Sequence, residues 1–284
     1  MDGSTRRQAL LALGAVALGG ALSGCSGEPA ARSSAPVDAA SAQAKVVAVS
    51  PATASVRGGT RVVLRGAGLA ATTAVRIAGV DVAVTSSTAG RVVFIAPGST
   101  DFVSGQQEVV LLEGSSTVAT THLVYAAVDG IDRQLQYVLT YWKDYNPAYE
   151  AISGDDCVDF TSQSLLQRGW QQQGEWTHAT DVYESGTAWR GSTAFMTFMT
   201  AHPELGEALT DAERSEVRVG DVVQFDWDGS GDRDHTGVVT RVGTVAGKPK
   251  VWFAGHTNDS DYRDVDDAIT KDHPGGTAYY WSLA

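Results

Sequence analysis

The sequence predicts a two-domain protein, an all-β sandwich followed by an α+β domain, and three observations predict it. Residues 45–127 break into short alternating runs rich in β-branched side chains and punctuated by Gly, Ser, Thr and Pro. Ile131, Leu135, Val138, Leu139 and Trp142 then fall at the spacing of an amphipathic helix. Beyond Val217 the period returns to that of strands, so helices precede a sheet in the second domain. A length of 284 residues gives each domain room for its own core, and 43% hydrophobic against 19% charged residues describes a globular chain. The net charge of −12, with no Lys/Arg cluster, excludes a nucleic-acid partner.

Residues 1–25 read as an export signal. Thr5-Arg6-Arg7-Gln8-Ala9-Leu10 precedes an Ala/Gly/Leu-rich run too short for a span of about 20 residues. The twin arginines resemble a twin-arginine signal, although Ala9 stands where Phe is usual. Leu22-Ser23-Gly24-Cys25 resembles the lipobox of bacterial lipoproteins, which implies a lipidated Cys25, an extracytoplasmic location and an anchor in the cell membrane. Residues 26–44 are Ala, Ser, Pro and Gly with little else and are expected to be a disordered linker.

In 45–127, strands are expected at 46–49, 61–64, 74–77, 80–84, 92–95, 108–112 and 122–125, enough for a sandwich. The phrases VSPATASVRGGTRVVLRGAGL, VRIAGVDVAV and FIAPG resemble the IPT/TIG immunoglobulin-like family. No cluster of chemistry-bearing side chains appears there, so the expected role is a spacer or a module for a surface partner.

In 128–284, Asp129 is placed to cap the first helix. The stretch Asp155-Asp156-Cys157-Val158-Asp159 then opens the second, with Asp156 as N-cap, Asp159 in a capping-box-like position and Gly169 as the stop. A thiol at a helix N-terminus meets unpaired N–H groups and the positive dipole end, which favour the thiolate. With Cys25 lipidated, Cys157 has no disulfide partner, and an exported protein that keeps a free thiol has a use for it. A helix is expected at 192–201 and strands at 219–227, 235–242, 250–254 and 277–281. Trp176 and Trp189 are read as packing residues, and His122, His178, His202 and His273 as solvated.

A cysteine hydrolase needs a base near the thiol and a polar group to orient that base. His235 opens one strand in Asp234-His235-Thr236-Gly237, and His256 ends the next in Gly255-His256-Thr257-Asn258, so antiparallel pairing is expected to bring the two histidines to one rim of the sheet. The helix-opening cysteine, GDVVQFDW, DHTGVVT and HTND occur in the order seen in the papain-like NlpC/P60 and CHAP superfamily. Within it, NPAYEAISGDDCVDFTSQSLLQRGW and VGDVVQFDWDGSGDRDHTGVV resemble the amidase type 6 family. This chain has Val158-Asp159 where that family more often shows Thr-Asn. The resemblance implies a papain-like α+β domain with Cys157 as nucleophile, His235 as base, and His256 or Asn258 as the third residue, acting on cell-wall peptides. An acyltransferase on the same site and a non-catalytic surface-binding protein are the alternatives.

Asp226, Asp228, Ser230, Asp232 and Asp234 alternate like the start of a calcium loop, but Gly237 stands where the bidentate Glu belongs. An acidic solvated hairpin is the expectation there, and no cofactor is expected.

Overall fold

The computed structural model describes residues 43–284. The export signal, Cys25 and the linker before residue 43 lie outside the described residues.

The first domain is built from β1 (Lys45–Ser50), β2 (Thr53–Ser55), β3 (Arg61–Ala67), β4 (Ala74–Ile77), β5 (Val80–Thr88), β6 (Arg91–Ile95), β7 (Gly105–Glu113) and β8 (Ser116–Ala126). The strand order is β1-β3-β6-β5-β4-β7-β8-β2. One half of β5 pairs with β4 and the other with β6, so this strand carries the chain from one sheet of the sandwich to the other. Alternation dictates the core: Val62 and Leu64, Val75 and Ile77, Val109 and Leu111, and Leu123 and Tyr125 all point inward. All seven expected strands are present. The short β2, which pairs parallel to β8, is an addition to the expected set, and β8 extends back to Ser116 through its pairing with β7, over a Ser/Thr-rich half that is only partly buried and shows no apolar alternation.

The second domain opens with α1 (Gly130–Tyr141), where the Asp129 carboxylate accepts from the Asp132 N–H at 2.9 Å, and α2 (Cys157–Arg168), which stops at Gly169 with φ 110°. Gly130 permits close packing of these helices, since a Cβ there would stand 2.0 Å from the Arg168 carbonyl oxygen. Then follow α3 (Thr187–Arg190), α4 (Ser192–Ala201), β9 (Gly206–Thr210), β10 (Val222–Asp226), β11 (His235–Val245), β12 (Lys248–Gly255), β13 (Ser260–Asp264), the short α5 (Val265–Asp267) and β14 (Thr277–Leu283). Strands β9 and β13 are additions to the expected set. Both are short and mostly polar, as edge strands commonly are.

These six strands form an antiparallel sheet in the order β13-β12-β11-β10-β14-β9. Each face has its own cover. Val222 and Trp281 pack with α2 and α4, whereas Val223, Phe225, Phe253 and Tyr280 pack with Val265 and Ala268 on the opposite face. With both faces covered, all five residues of β10 are buried.

The two domains touch through polar groups. Buried Asp132 accepts from Ser55 Oγ at 2.9 Å, Arg57 Nε at 2.8 Å and the Val128 N–H at 3.0 Å, and Arg57 also pairs with Asp129. Gln136 Nε2 donates to the Phe102 carbonyl at 2.8 Å, and the Tyr262 hydroxyl donates to Asp101 at 3.0 Å.

Candidate active site

Cys157 is the first residue of α2, as its sequence context requires, but the expected cap does not form. The Asp156 carboxylate turns away from the helix amides, accepting from the Ile152 N–H at 2.6 Å and pairing with His256 Nδ1 at 2.5 Å. Asp159 does not reach back either: it accepts from Trp189 Nε1 and Gln163 Nε2 inside the core. A polar group with buried donors nearby is held by them in preference to a solvated cap.

The thiol is 1% exposed and packs on the helix-covered face of the sheet. Its Sγ lies 3.7 Å from Ser192 Oγ, which is itself 2.9 Å from Thr236 Oγ1. Gln224 Nε2 donates to Thr236 Oγ1 at 3.0 Å and to the Ser192 carbonyl at 2.8 Å, so the one polar side chain against the sulfur is held in a hydrogen-bonded network while the rest of the thiol's side-chain surroundings are apolar. Burial pushes the thiol up to about 11, and the hydrogen bonds from Ser192 and the Thr236 backbone only partly offset that. The helix N-terminus does not yield a thiolate here.

His235 is the first residue of β11 and pairs directly with Phe225. Residues directly opposite in a ladder share a face, so the imidazole lies with Phe225, Trp227 and Phe253, 6.0, 6.0 and 6.1 Å away between ring centroids. Thr236, the next residue, faces the thiol. The sheet thus stands between Cys157 and the His235 ring, and the expected contact of thiol and base is not present. Burial pulls His235 down to about 3, with the charges of Arg263 and His273 adding to the effect, and its Nε2 is buried without a hydrogen-bond partner.

His256 follows β12, and alternation puts it on the other face from His235. It does not orient the His235 ring. Its ring is stacked between Tyr145 and Phe160, with centroids 3.6 and 3.8 Å away, and its Nε2 lies 2.8 Å from the Tyr141 carbonyl oxygen. With Nδ1 on Asp156, both ring nitrogens are engaged. The adjacent Thr257 Oγ1 accepts from the Asp156 N–H at 3.1 Å, so this turn staples the sheet to the start of α2. Asn258 is exposed on the same turn and makes no contact with the thiol. His256 follows Gly255, where a Cβ would lie 3.4 Å from His235 Nε2, but the two histidines occupy opposite faces of the sheet and do not come together as expected.

Asp159, expected only to help cap α2, is instead a buried carboxyl group. Burial pushes it up to about 7, with the neighbouring Asp156 charge adding to that, against the donors Trp189 and Gln163 and the charge of His256. Trp176 and Trp189 are fully buried, as expected of packing residues. Among the histidines expected to be solvated, His273 stacks on Trp227 at 4.1 Å and His178 packs against Tyr149 at 5.0 Å. Aromatic partners distant in sequence gave no local signal of these contacts.

The acidic hairpin brings Asp226, Asp228, Asp232 and Asp234 together, one carboxylate oxygen from each lying within 4.8 Å of the others. Backbone donors already serve it: the Gly229 and Gly231 N–H groups bond Asp226, and the Trp227 N–H bonds Asp234.

Two family profiles match the chain. Residues 130–281, more than half of it, match the family described as "Putative amidase domain", and residues 44–125 match the IPT/TIG domain. An uncharacterized Bacillus subtilis (strain 168) protein, YhbB, is 29% identical over 109 residues, covering 37% of this chain and 35% of that protein. The chain therefore spans about a third of the length of the curated relative it matches. Among solved structures, the plexin A4 extracellular region is 19% identical with a TM-score of 0.24, covering 32% of this chain and 10% of that one. The Bacteroides ovatus mixed-linkage glucan utilization protein SGBP-B is 10% identical with a TM-score of 0.22, covering 81% and 49%.

Proposed function

The chain belongs to the amidase family whose profile spans residues 130–281, and from that premise we propose that its second domain is a cysteine hydrolase of peptide amide bonds, papain-like in the NlpC/P60 sense. The observation that carries the reading is the placement of the Cys157 thiol, within this amidase domain, at the start of α2 and against the backbone of Thr236, the residue next to His235. The arrangement is a resting one. The thiol is protonated at neutral pH, and the neutral imidazole lies across the rim.

In this proposal substrate entry opens the rim, the His235–Phe225 pairing at the start of β11 is released, and rotation of the freed backbone carries the His235 ring to the helix face. Because its Nε2 has no partner, the rotation breaks no hydrogen bond at that nitrogen. The imidazole takes the thiol proton and the thiolate attacks the amide carbonyl carbon. The Cys157 backbone N–H, free at the helix N-terminus, stabilises the oxyanion. His235 then gives the proton to the departing amine, and water releases the acyl group as a carboxylate. His256 and Asp156 are assigned to holding the first turn of α2, and Asn258 to the exposed turn. With Cys25 lipidated, the enzyme stands outside the cell membrane, where cell-wall peptides are the substrate class.

The separation of thiol and imidazole by the sheet favours a second reading, a surface-binding protein that no longer turns over. Digestion of purified cell wall, followed by mass spectrometry of the released fragments, separates the two. Hydrolysis creates new amine and carboxylate termini that Cys157→Ala abolishes. Fragments identical to a buffer control favour the binder.

A further inference from the structure

A groove runs between α4 and the sheet edge formed by β9 and β14. Two adjoining hollows, about 490 and 180 Å3, share Thr200, Ala208 and Trp281 as walls. The smaller one ends at Arg233, the one Lys or Arg among the lining residues. The Arg233 guanidinium lies 3.6 Å from the centre of the Tyr279 ring. Within the acidic hairpin it bonds only backbone carbonyls, at Gly231 (3.2 Å) and Asp232 (2.8 Å). Its Nε is buried without a partner, and among the described residues no carboxylate forms an ion pair with it. The one carboxylate on the groove walls, Glu207, lines the larger hollow, so the smaller hollow that ends at Arg233 is the part of the groove suited to an anionic group.

The groove adjoins the Cys157 site. Ser192 touches the thiol, and Met196 and Thr200 follow it at helical spacing along the same side of α4. The Arg233 N–H bonds Thr193 Oγ1 at 2.9 Å, which fixes the cation beside the first turn of α4. On the other wall, β9 is the last strand of the sheet, so its outer edge carries unpaired backbone groups of the kind an extended peptide adds to.

We infer that this groove is a substrate subsite that takes an extended peptide through its backbone and reads one carboxylate on it with Arg233. Arg233 is then a specificity-determining residue. The choice of a peptide as occupant rests on the amide-hydrolase reading, while the test does not depend on turnover.

The full chain carrying Cys157→Ala is titrated calorimetrically with an acetylated, amidated pentapeptide bearing one central Glu, and with its Gln counterpart. The Glu peptide is expected to bind about tenfold more tightly, equivalent to about 1.4 kcal/mol. Arg233→Gln should erase that preference and Arg233→Lys retain part of it. Equal affinity for the two peptides on the Cys157→Ala protein that keeps Arg233, its fold checked against wild type by circular dichroism, or no binding of either, overturns the inference. A preference that survives in Arg233→Gln overturns it as well. Glu-selective binding by a protein whose wild type hydrolyses nothing would leave the subsite standing and remove the hydrolase reading.

Discussion

Asp159 is a carboxyl group with two good donors, Trp189 Nε1 and Gln163 Nε2, in a place too dry to keep its charge easily. Its native value of about 7 lies above the usual carboxylate range, so the unfolded chain gives up this proton first as pH rises. The native state therefore binds more protons between about pH 4 and 7, and stability attributable to Asp159 is lost through that window as pH increases. Asp159→Asn lacks the effect. The unfolding free energy of the variant relative to wild type should rise by about 1.4 kcal/mol per pH unit from pH 4 to 7, measured by urea titration. A difference that does not change with pH contradicts the assignment. Cys157 gives a second reading of local environment. With the thiol held up to about 11, its alkylation by iodoacetamide in the absence of substrate should climb about tenfold per pH unit between 7 and 10. A plateau near neutral pH would instead reveal a preformed thiolate–imidazolium pair.

Strand alternation decides what the site looks like before substrate arrives. In β11, His235, Gly237 and Val239 face away from α2 while Thr236 and Val238 face toward it, so the base is one residue out of phase with the thiol. Gly237 shows how tightly β11 lies on β12: a Cβ there would come within 2.6 Å of Phe253 Cδ2 and 2.7 Å of the Ala254 carbonyl oxygen. Gly237→Ala should destabilise the domain by about 1–3 kcal/mol through overpacking, and a loss below about 0.5 kcal/mol would show that the strands separate freely. The helices and central strands were legible in the sequence because apolar periodicity and terminal signals such as Asp129 and Gly169 are local. The facing of His235 was not, because the side a strand's first residue takes is set by its register with Phe225 on β10. The lost cap at Asp156 has the same origin, since its competing partner His256 is 100 residues away.

Across the molecule, the sandwich and the amidase domain are joined at Asp132, a carboxylate buried among Ser55, Arg57 and the Val128 amide. The apolar stripe of α1 was readable from spacing alone, but that its polar side meets the sandwich was not, because no local pattern announces a partner far away in sequence. Arg57→Ala removes the charged donor and leaves Asp132 short of a partner. It should cost about 1.5–3 kcal/mol, read as a lower urea midpoint, whereas an unchanged midpoint would mean the junction contributes nothing. The central claim, that Cys157 is a nucleophile served by His235, meets its most direct test in intact-protein mass spectrometry after mixing with a p-nitrophenyl ester of an acetylated peptide. One acyl adduct mapping to Cys157 is predicted, absent in Cys157→Ala and formed at least about 100-fold more slowly at pH 7 in His235→Ala. No adduct on Cys157, or an equal rate without His235, would contradict it.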